Sequence, residues 1–153
     1  MASAGKLTSA NLSAGAEWSV DDLFFQLMHL AEKTMKPDRL YILTDYPPFQ
    51  AAYARIGVNG WAARFEVYWK GMELANAFWE VTDPDVQRER FQRDIQKKIS
   101  EGKSAVPMDE EFLNYMKSGK FPESSGIALG LERLFMAIFD INDIQALNPF
   151  IAK

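Results

Sequence analysis

The segment at residues 64–81, RFEVYWKGMELANAFWEV, constrains the fold of this chain more than any other. It is rich in aromatic and β-branched side chains, which favour extended backbone. Lys70-Gly71 lies near its centre, and a pair of residues ending in glycine is typical of a tight two-residue turn. The segment therefore predicts an antiparallel β-hairpin that turns at Lys70-Gly71.

The position of the turn also predicts which hairpin side chains share a face. With this turn Tyr68 lies opposite Glu73, and Trp69 lies opposite Met72. One face then carries Glu66, Tyr68, Glu73 and Ala75. In an undistorted strand Asn76 points to the other face, so a β-bulge near residues 74–76 is required if Glu73 and Asn76 serve one pocket.

The flanking segments predict an α+β fold in which helices pack against a small, mainly antiparallel sheet. Ser19 and Asp22 are spaced as a capping box before an amphipathic helix that runs to about Met35. RLYILT at residues 39–44 is a short apolar run, which predicts a largely buried strand. Further helices are predicted at residues 84–102, 109–117 and 131–140, and a small-residue strand at residues 125–130. We interpret residues 1–17 as a flexible leader and residues 18–153 as one domain.

The reactive side chains exclude several chemistries. The chain has no cysteine and a single histidine, His29. The lack of cysteine excludes a thiolate zinc site and a catalytic thiol, and one histidine makes a serine–histidine triad improbable. We predict His29 to be a half-exposed residue without a functional role. No run of about 18 apolar residues is long enough to span a bilayer. Mixed charges on the 84–102 helix and a net charge of −4 favour a solvated helix face over RNA contact, and we expect a cytoplasmic protein.

Three glutamates in the hairpin segment form the first candidate site. Glu66, Glu73 and Glu80 occur within fifteen residues, although strand interiors are depleted in glutamate. Neighbouring carboxylates repel each other unless a cation lies between them. The acids indicate either a site for a cationic ligand or magnesium, or a solvated face of the sheet.

The second candidate is GIALGLER, which begins at Gly126. Glycines at both ends of a short strand allow a flat ligand to approach the backbone. Arg133 lies in the first turn of the following helix, where the helix dipole disfavours a cation unless an anion compensates it. A bound phosphate, Glu132 or another nearby carboxylate would do so. No Gly-Lys-Ser/Thr follows, so this is not a P-loop.

In this order, the two segments resemble the C-terminal half of the catalytic domain of class II aminoacyl-tRNA synthetases, and the lysyl branch in particular. RFEVYWKGMELANAFWEVTDP is similar to the lysyl-type stretch in which Arg-Phe-Glu leads to Gly-x-Glu-x-x-Asn-x-Phe-x-Glu. SGIALGLERLFM is similar to motif 3 of that class. Motifs 1 and 2 of the family are not found in this sequence, so the likeness covers about half of a catalytic domain.

The resemblance implies ATP and Mg²⁺ as cofactors. At matching positions, Glu66 and Glu73 would hold the metal ion, and Glu73 would also serve the ATP phosphates. Gly130 would lie against the adenine side. Arg133 would bind the γ-phosphate and act as the catalytic arginine.

The resemblance also implies an amino-acid pocket. Asn76, Phe78 and Glu80 would line it, with Glu80 pairing a substrate ammonium group. Within the branch, TDYPPFQAAYARI and GMELANAFWE are more similar to the stand-alone paralogues that attach β-lysine to elongation factor P. Ala128 stands where those paralogues have alanine and lysyl-tRNA synthetases have glycine, and its methyl group would narrow the pocket.

Three functions remain open on the sequence. The first is an ATP-dependent ligase that activates lysine or β-lysine and transfers it to elongation factor P. The second is a fragment of a genuine lysyl-tRNA synthetase, with tRNA as acceptor. The third is a truncated, non-catalytic paralogue that binds amino acid or nucleotide, or completes a partner chain. Open sheet edges in half a domain further predict self-association, or pairing with a missing N-terminal half.

Overall fold

A computed structural model describes residues 18–148. The chain divides into two units, Met1–Thr34 and Met35–Lys153; the proposed leader at residues 1–17 lies outside the described residues. In the first unit helix α1 spans Val20–Thr34. The Asp22 backbone N–H donates to Ser19 Oγ at 3.1 Å, and the Ser19 N–H donates to Asp22 Oδ2 at 3.0 Å. The predicted capping box is therefore confirmed. His29 lies in α1, with Nδ1 3.8 Å from the Glu32 carboxylate.

The second unit contains a four-stranded antiparallel sheet in the order β1-β2-β3-β4. Its strands are β1 (Leu40–Leu43), β2 (Arg64–Trp69), β3 (Met72–Trp79) and β4 (Ser125–Leu129). The β2–β3 hairpin turns at Lys70 and Gly71, whose φ angles of 52° and 72° are those of a tight turn with two left-handed residues. The predicted α+β class and hairpin are confirmed.

A β-bulge interrupts the pairing of β2 with β3. Tyr68 pairs with Glu73 and Val67 pairs with Ala75, so Leu74 has no partner residue on β2. One extra residue reverses the side-chain alternation of a strand. Glu73 and Asn76 therefore lie on the same face of β3, as the sequence required for a shared pocket.

The burial predicted for the first strand is wrong. Leu40 and Ile42 are each 58% exposed, and the strand alternates between exposed and partly covered positions. These side chains are exposed because β1 is an edge strand of the described sheet, with a neighbouring strand on one side. A short apolar run does not distinguish an edge strand from a central one.

Three α-helices follow the hairpin. No helix in the described residues is long and apolar enough to cross a membrane. Helix α2 spans Pro84–Ser100, α3 spans Glu110–Lys117 and α4 spans Leu131–Phe139. Asp83 and Asp109 accept backbone N–H bonds at the starts of α2 and α3. Helix α3 packs against α2 and buries Leu113 completely, whereas α4 packs against β3.

Leu113→Ala tests whether the α2–α3 contact stabilises the second unit. Leu113 is 0% exposed, so truncation leaves a cavity and we expect a loss of about 2–5 kcal/mol in the free energy of unfolding. Urea denaturation followed by circular dichroism measures it. Ile99→Ala on α2 is the matched control, because Ile99 is 54% exposed and its loss is expected to stay near ±0.5 kcal/mol. Equal losses for the two variants would contradict this account of the core.

Candidate functional site

The bulge and the strand register bring most of the predicted site residues to one face of the sheet. Arg64, Phe78 and Gly126 lie side by side across β2, β3 and β4, and Glu66, Asn76 and Ala128 form the next row. We call this surface the site face. Its side-chain positions are Arg64, Glu66, Tyr68, Glu73, Asn76, Phe78, Gly126 and Ala128.

Glu66 is buried on the site face, with 9% of its surface exposed. Its Oε2 accepts a hydrogen bond of 2.7 Å from the Tyr68 hydroxyl, and its Oε1 accepts one of 3.3 Å from Asn76 Nδ2. The Arg64 guanidinium forms an ion pair with the same carboxylate. A buried carboxylate needs such partners, because desolvation of an unpaired charge is costly.

Tyr46 is a second buried group beside this carboxylate. It is 4% exposed, and burial, followed by a hydrogen bond with Glu66, raises the pKa of its hydroxyl far above the usual range. The tyrosine therefore stays protonated at physiological pH and remains a hydrogen-bond donor. Tyr46 is not among the site residues predicted from the sequence, because a tyrosine before two prolines indicates only a turn.

Glu73 is paired with the arginine that the sequence places at the start of α4. Arg133 Nη1 lies 3.3 Å from Glu73 Oε2 and donates to the Glu73 backbone carbonyl at 3.0 Å. The Gly130 backbone N–H donates to the Leu74 carbonyl at 2.8 Å. Both carbonyls of the bulge thus bind the junction between β4 and α4. A nearby carboxylate, one of the alternatives left open, compensates the cation at this helix start.

Glu80 differs from the other two acids. Its carboxylate has no hydrogen-bond or ion-pair partner within residues 18–148, and partial burial raises the pKa of its carboxyl group. A Cβ placed on Gly126 would lie 3.7 Å from Glu80 Oε1, so the absence of a side chain there leaves space beside this oxygen. The arrangement suits a cationic group supplied by a ligand.

The donor set allows a magnesium site only with help from the ligand. No group of three acidic or histidine side chains suited to a metal ion occurs in the described part of the chain. Glu66 and Glu73 are hard oxygen donors on one face, and Mg²⁺ is commonly bound by one or two carboxylates together with nucleotide phosphates. The residues therefore fit a metal ion that arrives with a nucleotide.

A cleft in the described part of the chain is lined in part from the opposite face of the sheet. It has a volume of about 1240 Å³, and it is lined by Phe65, Ala77, Trp79 and Ile127, which alternate along the strands with the site-face positions. Three residues of the site face, Arg64, Phe78 and Gly126, line it as well. Its lining is mostly apolar, with Asp45 and Arg55 among the charged residues, and it lacks Glu66, Glu73 and Glu80, so we do not assign the candidate chemistry to it.

Sequence reasoning missed Arg64. It is the residue that joins several members of the site face, and its side chain is 7% exposed. The signal was present in the sequence, because Arg64 and Glu66 stand two apart in a strand and therefore share a face. An opposite-charge pair at that spacing predicts an ion pair.

Comparison with known proteins identifies the family. Residues 21–153 match the family model described as tRNA synthetases class II (D, K and N). The chain therefore belongs to the class II tRNA synthetase family, and the resemblance found in the sequence is confirmed.

Three similar proteins carry the same name. The chain is 45% identical over 107 residues to the elongation factor P–(R)-β-lysine ligase of Pectobacterium atrosepticum, covering 69% of this chain and 33% of the relative. It is 38% identical over 151 residues to the ligase of the same name from Edwardsiella ictaluri, covering 96% and 46%. The ligase of Hamiltonella defensa is 37% identical over 133 residues, covering 84% and 41%. The chain thus spans less than half the length of these curated relatives.

The raised pKa of Glu80 predicts a pH-dependent contribution to stability. A carboxyl whose pKa is higher in the folded state binds more protons there than in the unfolded state, so its contribution falls as pH rises from the usual glutamate pKa of about 4.3 through the folded value. We expect Glu80→Gln to gain stability relative to the parent chain across this window. Chemical denaturation at several pH values measures the difference, and NMR titration of the Glu80 side chain measures the pKa.

The matched control is Glu73→Gln, whose carboxylate has the Arg133 partner. Its removal leaves Arg133 without this partner, so we do not expect the variant to be more stable than the parent chain. A Glu80 titration midpoint at or below about 4.3 would show that desolvation does not govern this group.

Proposed function

We propose that this chain supplies amino-acid and nucleotide contacts of a ligase that activates lysine or β-lysine with ATP and transfers it to elongation factor P. The observation that carries the proposal is the contrast among three acids of the β2–β3 hairpin segment. Glu66 and Glu73 have arginine partners, whereas Glu80 is partly desolvated and has none in the described residues. The names of the relatives support the same acceptor.

The amino-acid end of the site uses charge and shape together. Glu80 pairs the ammonium group of the substrate side chain, and the space above Gly126 admits it. Asn76 contributes an amide, and Phe78 contributes an aromatic wall. Ala128 lies directly across from Asn76 in the strand register, and its methyl group discriminates between α- and β-amino positions by about 1–3 kcal/mol.

The nucleotide end uses Arg133 and the bulge. The Arg133 side chain is 50% exposed. A guanidinium has five N–H donors, and only Nη1 of Arg133 contacts Glu73, so the N–H groups of its other nitrogens remain for a γ-phosphate. Gly130 lies against the adenine. Bound magnesium would neutralise phosphate charge, with Glu66 and Glu73 as its protein ligands. Holding both substrates on one rigid sheet favours attack of the carboxylate on the α-phosphate.

We assign residues 18–153 to one partial catalytic domain, and we place the reaction in the cytoplasm, where ATP and a translation factor are both present. Zero cysteines agree with that compartment.

Ligand-dependent thermal unfolding tests the proposed site. We expect a non-hydrolysable lysyl-adenylate analogue, or ATP with Mg²⁺ and β-lysine, to stabilise the chain, by about 2.7 kcal/mol at 100 times the dissociation constant. The stabilisation should be lost in Glu80→Gln and Arg133→Met. Arg88→Met is the matched control, because Arg88 forms a bidentate pair with Glu110 between α2 and α3, away from the site face.

Ala128→Gly separates the two amino acids within the same assay. Loss of the methyl group should shift the preference from β-lysine towards lysine by about tenfold. Equal stabilisation by lysine in the parent chain and the variant would favour a lysyl-tRNA synthetase fragment. No stabilisation by any ligand would contradict the proposed function and leave a non-catalytic paralogue.

We also propose that the chain self-associates through the outer edge of β4. In the described residues β4 pairs with β3 alone, and Ile127 and Leu129 are 59% and 48% exposed. A free edge with apolar side chains is a template for antiparallel pairing with a second copy, which two-fold symmetry makes self-complementary.

Light scattering tests this association. We expect a dimer in the parent chain, and a monomer in Ile127→Lys, which places a charge beside the edge. Ile99→Lys is the control, since Ile99 is 54% exposed, close to the 59% of Ile127, but lies on α2. A monodisperse monomer for the parent chain would refute the proposal, and a complex formed only on adding a second polypeptide with the remaining family motifs would replace it.

A further inference from the structure

We propose that Arg64 is a positioning residue that fixes the direction of the Asn76 amide, and so determines which atom of this amide is offered to the amino-acid substrate. The substrate part of this statement rests on the proposed function. The orientation part concerns the ligand-free chain alone, so the two fail separately.

The first step is the hydrogen-bond pattern of Asn76. Arg64 Nη2 donates to Asn76 Oδ1 at 3.1 Å, and Asn76 Nδ2 donates to Glu66 Oε1 at 3.3 Å. A guanidinium has donors only and a carboxylate has acceptors only. A flipped amide would therefore place its NH₂ against the guanidinium and its oxygen against the carboxylate. One orientation is allowed, and it leaves one N–H of Nδ2 uncommitted among residues 18–148.

The second step is the fixed position of the guanidinium itself. Arg64 Nη1 donates to the Gln50 carbonyl at 2.8 Å. The guanidinium carbon lies 4.2 Å from the ring centre of Tyr46 and 5.0 Å from that of Phe78. Hydrogen bonds in its plane and aromatic rings against it hold the group in one place.

The third step is that this arrangement requires a guanidinium rather than any cation. A single Nη2 atom serves both Glu66 and Asn76, while Nη1 holds Gln50. A lysine ammonium is a point charge without the planar fork, and it stacks less well between two rings. Lysine at position 64 would keep the charge pair with Glu66 and lose control of Asn76.

The consequence for binding follows from the uncommitted N–H. A donor at Asn76 suits a carbonyl or carboxylate oxygen of the substrate, opposite the methyl group of Ala128. An amide free to flip presents its oxygen for part of the time and loses that contact. Arg64 therefore acts through Asn76, without itself touching the substrate.

NMR of the ligand-free chain provides the first test. In the parent chain the two Asn76 side-chain N–H protons should be sharp and distinct, with one shifted by its bond to Glu66. In Arg64→Lys they should broaden or move towards the values of a solvent-exposed amide. Arg88→Met, which removes an ion pair between α2 and α3, should leave them unchanged. Unchanged Asn76 resonances in a folded Arg64→Lys variant would overturn the proposal.

Calorimetry with β-lysine in the presence of ATP and Mg²⁺ provides the second test. Arg64→Lys should weaken β-lysine binding by about tenfold, the usual scale for an outer-shell partner, whereas ATP affinity should change little. In an Asn76→Ala background, Arg64→Lys should leave the affinity for β-lysine almost unchanged, because the amide through which Arg64 acts is absent. Additive losses would overturn the proposal.

Arg64→Met, which also removes the charge, can be added to both tests. If Arg64→Met fails to fold, the result for Arg64→Lys alone decides. If the parent chain binds no amino acid, the proposed function is contradicted, and the NMR comparison alone decides whether Arg64 orients Asn76.

Discussion

The extra residue at Leu74 is the constraint on which the candidate site depends. A regular strand places Glu73 and Asn76 on opposite faces, and the bulge brings them together. The bulge is itself held by bonds to the β4–α4 junction, because the Gly130 N–H and Arg133 bind the carbonyls of Leu74 and Glu73. Two distant segments of the chain, the hairpin and the start of α4, are thus joined at one irregular point of the sheet.

Electrostatics then divides the three acids by role. Two carboxylates are neutralised by arginines from different elements, Arg64 on β2 and Arg133 on α4. Glu80 follows the end of β3 and lacks such a partner in the described residues, and burial raises the pKa of its carboxyl group. Partial desolvation strengthens attraction to a ligand cation, since fewer waters compete for the carboxylate. In the proposed function Glu80 binds an ammonium group of the substrate, because it can do so without displacing a partner among the described residues.

The sequence predicted the hairpin and its turn from local rules, whereas it required the bulge only on the condition that Glu73 and Asn76 serve one pocket. A turn at Lys70-Gly71 determines the pairing on both sides, and two polar residues three apart share a face only across an inserted residue. The burial of β1 depended on which strands lie beside it, which a four-residue apolar run does not encode. Arg64 was overlooked for a related reason. Arginine is usually exposed, and its burial here depends on Tyr46, Gln50 and Phe78, whose convergence is a property of the fold.

Strand β4 belongs both to the proposed pocket and to the proposed association surface. Its small residues, Gly126 and Ala128, lie on the site face, where they leave room for a ligand beside Glu80 and Asn76. Its large residues, Ile127 and Leu129, point to the other face and are about half exposed. A polypeptide that pairs with the outer edge of β4 would fix the backbone on which both small residues stand, because every second residue of one strand belongs to each face. In this proposal the pocket and the association surface are two sides of the same five residues, and the order of the pocket depends on what covers the outer edge of β4.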